Sequence, residues 1–345
     1  MTPLILASTP DRVPEIPAPR TDFRLLAETL NAPISTPPAP SNTLLARLER
    51  RTATDLRQAF AALKRRRAVS VYVSMSEKIG IPLALLLPRN RPNRPAHLLV
   101  AHHPGSAHKR LLQTRTNYLL RFDRIVTLSQ AQARYLIEEA GVAPSNVVSI
   151  RQGIDTQFWT PPPPTNAARP YILSIGVERR DYETLAAALY RLPDVQAVVG
   201  ASSQWARETE DDTPAAPNLT LSETLSYAAL RDLTASATLV VVPLRARTFY
   251  AAGANACLEA MALNRPLLAS ETPGIAEYLR GDDGTPHAAL VPPNAPDDLA
   301  NAIRALLADP AQRELSGTLG SAFVRRDANL EDYVRFLAAQ VRDCV

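Results

Sequence analysis

Lysine is nearly missing from this 345-residue chain: Lys64, Lys78 and Lys109 stand against 35 arginines. Glycine is scarce as well, 12 residues against 31 prolines, and there are only two cysteines, Cys257 and Cys344. Two cysteines build neither a disulfide framework nor a four-cysteine zinc site, so a reducing compartment is expected. No GxGxxG follows a strand-like run and no GxxxxGK[ST] occurs, which argues against a dinucleotide dehydrogenase and a P-loop ATPase. Asp-X-Asp is absent too. Of five histidines, only His97, His102 and His103 come near a metal-like spacing, and strand alternation points them apart, so no metal is expected. The longest uncharged apolar run, residues 79–88, is about half a membrane span. The start, MTPLILASTPDR, has no basic residues ahead of its apolar stretch, so a secretory signal is not expected.

What is present is ordinary for a globular protein: 46% hydrophobic residues, 21% charged, and a net charge of +4. The arginine skew fits a genomic base-composition bias. It also fits a surface tuned to phosphates or anionic lipid, since guanidinium binds such groups bidentately. Many prolines and few glycines reduce unfolded-state entropy, which suits a heat-tolerant protein. At roughly 100–200 residues per domain, the length suggests two domains.

Short apolar runs alternate with amphipathic ones, the mark of stacked βαβ units. Strands are expected at 3–7, 69–73, 97–101, 124–128, 171–175, 195–199, 239–242 and 266–269. Helices are expected at 22–30, 43–64, 109–120, 130–140, 182–192, 227–236, 254–263, 275–280 and 331–341. The runs YILSI and LVVVP suit parallel strands buried on both faces. Residues 161–164 are four successive prolines, which continue neither helix nor ladder and predict a stiff spacer over 152–169. The expected domains are therefore 1–151 and 170–329, with a terminal helix at 330–345.

The richest stretch runs from 240 to 279. A strand ends at Pro243, a loop carries Arg245 and Arg247, and Gly253 opens a helix whose N–H groups and dipole suit an anion. Glu259 lies further along that helix among Cys257, Leu258 and Met261. A carboxylate there is either on an exposed stripe or paired with a ligand such as a ribose diol.

At these residues the sequence resembles the retaining glycosyltransferases of the two-Rossmann-domain (GT-B) type, family 4, over about residues 67–325. RQGIDTQFWTP, ILSIGVERRDYETLAAAL, GANACLEAMALNRPLLAS, TPGIAEYL and ALVPPNAPDDLANAIRALLADP occur in the family's order. The resemblance implies an α/β fold of two doubly wound Rossmann-like domains facing across a cleft, with the C-terminal helix crossing back to the first domain. It implies transfer of a sugar from a nucleotide-diphosphate donor to an acceptor hydroxyl, with retention and without metal or cofactor. Glu259 matches the ribose-binding glutamate of a Glu-X7-Glu element whose first member falls on Ala251. Gly253, Ala254 and Asn255 stand at the same helix mouth and are expected to hold the donor. Gly176, Arg179 and Arg180 match the diphosphate clamp.

The first domain departs from the family, having no glycine in the loop after its first strand. Glu77 and Gly80, in a segment that follows a strand end, are candidates for that loop's acceptor-side role, or else the cap and buried face of a core helix. His102 matches a histidine near the reacting sugar, with His103 and Lys109 beside it. The expected partners are a nucleotide sugar and a sugar, lipid or small-molecule acceptor, and no nucleic acid. A cytoplasmic place is expected, with peripheral contact to the inner face of an anionic membrane left open. The rivals are a silent nucleotide-sugar-binding subunit, motivated by Ala251, and a GT-B-type epimerase; a phosphorylase is disfavoured by the lack of lysines in the second half.

Overall fold

The computed structural model describes residues 1–9, 17–88, 94–162, 170–200, 216–222 and 225–344. The chain divides into two units: Met1–Val13, Arg20–Ile150 and Glu331–Val345 form one, and Pro14–Pro19 with Arg151–Leu330 the other.

The first unit is a sheet of β1 (Thr2–Leu6), β2 (Ile34–Ser35), β3 (Val69–Ser74), β4 (Ala96–Ala101), β5 (Arg124–Thr127) and β6 (Val147–Ser149), in the order β2-β1-β3-β4-β5-β6. Every pairing is parallel. Parallel neighbours need crossovers. These are α1 (Asp22–Leu30), α2 (Leu44–Thr52), α3 (Leu56–Lys64), α4 (Glu77–Leu86), α5 (Ala107–Thr116) and α6 (Gln130–Arg134). Three expected helices are altered. The single helix over 43–64 breaks at Ala53, which takes a left-handed φ of 52°. The break is clamped by Arg57, whose Nε and Glu49 Oε2 lie 2.6 Å apart across it. The helix over 109–120 stops at Asn117 (φ 48°), a residue type that tolerates this region, and continues as a 3-10 turn over Tyr118–Arg121. The helix over 130–140 changes after Arg134 into a π turn, Tyr135–Glu139.

The second unit also holds six parallel strands: β7 (Ile172–Ile175), β8 (Ala197–Gly200), β9 (Leu219–Leu221), β10 (Leu239–Val242), β11 (Leu267–Ser270) and β12 (Ala289–Val291). Their order is β12-β11-β10-β7-β8-β9, reversing between β7 and β10. The helices are α7 (Tyr182–Leu189), α8 (Tyr227–Ser236), α9 (Ala254–Ala262), α10 (Ala276–Leu279), α11 (Pro296–Ala308) and α12 (Pro310–Asp327). The expected spacer is no free connector over its first part. Ile154, Phe158 and Trp159 lie in this unit's core, and Ile154 bridges to Asn329. Their large apolar surfaces are removed from water, and that burial draws the segment in. Residues 163–169 lie outside the described residues.

The last helix, α13 (Leu330–Arg342), groups almost wholly with the first unit. Its Tyr333, Leu337 and Val341 are buried, and Glu331 Oε1 accepts from Arg20 Nη2 at 2.6 Å. The two units differ sharply in charge. The first carries 23 basic and 12 acidic residues, net +11, and the second 15 and 22, net −7. No helix among the described residues is long and apolar enough to cross a membrane.

Candidate functional site

In a doubly wound sheet, ligands gather beyond the carboxyl ends of the strands where the order reverses. In the second unit those are β7 and β10, and their loops are stitched together. Arg180 bridges to Leu244, Asp181 N–H donates to Pro243 O at 3.1 Å, and Arg245 N–H donates to Arg179 O at 3.0 Å. Asp181 caps α7 through Thr184 N–H (3.1 Å), which fixes the end of this loop.

Arg180 is buried. Its Nε donates to Ile175 O at 2.8 Å and its Nη1 to Glu178 O at 3.1 Å. A Cβ on Gly176 would stand 2.5 Å from Arg180 Nη2, and one on Gly253 would stand 3.3 Å from Nη1. The guanidinium is therefore seated between two glycines, both with positive φ (96° and 87°), at the mouth of α9. Arg179, next in the chain, is different. It holds a left-handed φ of 57°, and its Nε reaches Thr248 Oγ1 at 3.4 Å.

At the α9 mouth the first intrahelical bond is Cys257 N–H to Gly253 O (3.0 Å), so Asn255 and Ala256 have no carbonyl four residues back within the helix. The Ala254 N–H bonds Ala251 O at 3.1 Å. The Asn255 side chain accepts from Gln152 Nε2 at 2.8 Å. Gly274, in the TPGIAEYL motif, lets the loop pass, since a Cβ there would lie 1.9 Å from Tyr250 O.

Glu259 keeps part of its surface open. Desolvation pushes its carboxyl up to about 8 against the pull of Arg180. Burial likewise pushes the Cys257 thiol up to about 12, a value that leaves it inert.

In the first unit, the ends of β3 and β4 carry a second cluster. Glu77, in the first turn of α4, is buried; its Oε1 accepts His103 N–H at 2.5 Å and lies 3.5 Å from Lys109 Nζ. Lys109 Nζ donates to His103 O at 2.8 Å. Burial alone would raise the Glu77 carboxyl, but Lys109 and His102 outweigh it and hold it down at about 2. The His102 ring places Nε2 3.1 Å from Met75 O, and Gln132 Nε2 donates to His102 O at 2.7 Å.

Gly80 lies on the packed face of α4: a Cβ there would stand 2.8 Å from Leu99 Cδ1, so its absence lets α4 lie on β4. The Glu77 carboxylate is bonded within the protein through Oε1. His97 is a core residue, bonded to Ser74 Oγ at 2.9 Å and packed on Phe122, with burial pushing it down to about 3. Among the described residues no group of three or more His, Cys, Asp or Glu could hold a metal.

Sequence reasoning missed Asp22 and Gln132. Asp22 opens α1, accepts Phe23 N–H at 2.7 Å, and is pushed up by burial against the pull of His102. Its helix-start position was a legible signal; Gln132 carried none.

Residues 14–158 match the family described as Glycosyltransferase Family 4, and residues 170–309 match Glycosyl transferases group 1. Among solved structures, sucrose-phosphate synthase from Thermosynechococcus elongatus is similar at 20% identity and a TM-score of 0.77, over 99% of both chains. HepE of Anabaena, solved with UDP and glucose, is similar at 17% identity and 0.71, again over 99% of both chains. A glycosyltransferase from Rickettsia africae is similar at 12% identity and 0.65, over 99% of this chain and 90% of that one. No curated protein matches the sequence. The fold of the chain is GT-B-like α/β.

Proposed function

We propose that this chain, a glycosyltransferase of the GT-B fold, retains anomeric configuration and transfers sugar from a nucleotide-diphosphate donor without a metal ion. The observation that carries the reading is Arg180, seated between Gly176 and Gly253 at the mouth of α9. A departing nucleoside diphosphate spreads negative charge over its oxygens, and preorganised positive groups aimed there lower the barrier. Arg180, Arg179 and the N–H groups of Gly253 and Asn255 supply that field. Glu259, on the same helix, takes the ribose hydroxyls. HepE holds UDP-glucose in this fold, which makes UDP-glucose the first donor to try.

His102 serves the transfer step from the first unit, holding a sugar hydroxyl or steadying charge near the anomeric carbon. With no nucleophile set against that carbon by any motif, the departing phosphate itself takes the acceptor proton on the face it leaves. The acceptor belongs to the first unit, whose charge of +11 favours an anionic one. Along α2, Leu44, Arg47, Leu48 and Arg51 recur at i, i+3, i+4 and i+7, all exposed, Leu44 by 82%. Such a stripe supports peripheral contact with an anionic membrane.

The test is turnover of UDP-glucose and other nucleotide sugars against an acceptor panel, with product anomers assigned by proton NMR. Retention with Arg180→Ala at least about 10²-fold slower is expected. Binding with neither transfer nor hydrolysis would turn the reading to a silent subunit.

A further inference from the structure

The turn that follows β4 is held by side chains from three different helices. Gln132 of α6 donates to the carbonyl of His102 (2.7 Å), Glu77 of α4 accepts the N–H of His103 (2.5 Å), and Lys109 of α5 donates to the carbonyl of His103 (2.8 Å). Lys109 and Glu77 also pair with each other at 3.5 Å. The peptide groups of two successive histidines are thus bound from three sides.

The His102 ring is held as well. Its Nε2 lies 3.1 Å from the carbonyl of Met75, which can only accept, so Nε2 carries a proton and Nδ1 is the ring nitrogen left for a ligand. Met75 lies two residues before Glu77, so the segment that fixes the ring also carries the carboxylate that fixes the turn.

Burying an ion pair is an expensive way to join helices. An apolar pair of similar volume packs as well or better, so stability alone does not account for Glu77 and Lys109. What the pair does supply is direction, because each charge meets a specific peptide atom of the turn.

We propose that Glu77 and Lys109 are positioning residues that hold the turn after β4 so that His102 keeps its proton on Nε2 and presents Nδ1 to a hydroxyl of the bound sugar or acceptor. The proposal rests on the reading above that His102 serves the transfer.

The experiment uses the full chain and two readouts. Ring nitrogen NMR of His102, assigned by its loss in His102→Ala, should show the Nε2-protonated form in the unsubstituted protein and a mixture of both tautomers in Glu77→Gln. Turnover of UDP-glucose by Glu77→Gln should fall about tenfold in kcat, with KM for UDP-glucose changed less than about twofold. In the His102→Ala background the same substitution should cost nothing further, since its effect passes through the ring. An unchanged tautomer together with additive losses in kcat would overturn the proposal and make Glu77 an independent contributor. Shifted tautomers with full turnover by His102→Ala would sustain the clamp and overturn the role of His102 in transfer. Should Glu77→Gln fail to fold, Lys109→Met, at a more exposed side chain, carries the same two readouts.

Discussion

Arg180 occupies the space that a side chain on Gly176 would need, with Nη2 2.5 Å and Cζ 3.0 Å from where a Cβ would stand. Gly176→Ala should therefore push the guanidinium aside and weaken UDP binding about tenfold or more by calorimetry. The substitution also strains a φ of 96°. Gly284→Ala is the control for strain alone, since Gly284 has a φ of 83° and nothing within 4 Å of its missing Cβ. Equal UDP affinity in the two variants would remove Arg180 from the diphosphate site.

Glu259 ties stability to pH. Its folded value, about 8, lies above the ordinary carboxyl value of 4.5. The folded state thus binds more protons than the unfolded state between those values. Its contribution to stability is full below about 4.5 and is lost as pH rises through 8. Glu259→Gln should raise Tm by about 3 °C or more at pH 8.5 and change it little at pH 5. The same variant should bind UDP at least about tenfold more weakly. Parallel Tm profiles would mean the carboxyl is not desolvated.

The first unit should respond to acid in the opposite sense. His97 is held at about 3, below its ordinary 6.5, so its contribution is lost as pH falls from 6.5 toward 3. Glu77, held at about 2, adds a loss as pH falls from 4.5 toward 2. Hydrogen exchange near pH 4 should therefore speed up in peptides of β1, β3 and β4 before those of β7 and β10. The reverse order would contradict both assignments.

Much of this was legible in advance. α1, α8 and β10 run over the expected residues, because a helix start at Asp22, a Ser226 cap and the run LVVV are local signals. Ala53 gave no warning, since its left-handed turn is held by Arg57 and Glu49 on either side. The strands β6, β9 and β12, three residues each, are too short for any periodicity. Arg179 and Arg180 look alike in sequence, and only the pairing of two loops buries one and leaves the other on a turn.

Chelation is a direct check on how the diphosphate is neutralised. On the proposed reading, in which Arg180 and the α9 mouth neutralise the diphosphate, EDTA should leave turnover of UDP-glucose intact. Loss of activity restored by Mg²⁺ or Mn²⁺ would contradict it.

Membrane contact is tested with vesicles. Sedimentation with phosphatidylglycerol vesicles should capture the protein at low salt, with phosphatidylcholine vesicles capturing far less. Replacing Leu44 and Leu48 by Ser should cut capture severalfold, since each leucine adds apolar contact with the acyl boundary. Equal capture by both vesicle types would remove the electrostatic argument.

The assignment of Glu331–Val345 to the first unit bears on how the protein is made. Tyr333, Leu337 and Val341 leave the ribosome after every residue of the second unit. The second unit's six strands all lie within one uninterrupted stretch of chain, so they can assemble during synthesis. The unit begun first is thus completed last, and its nascent form waits with the surface that α13 covers still bare.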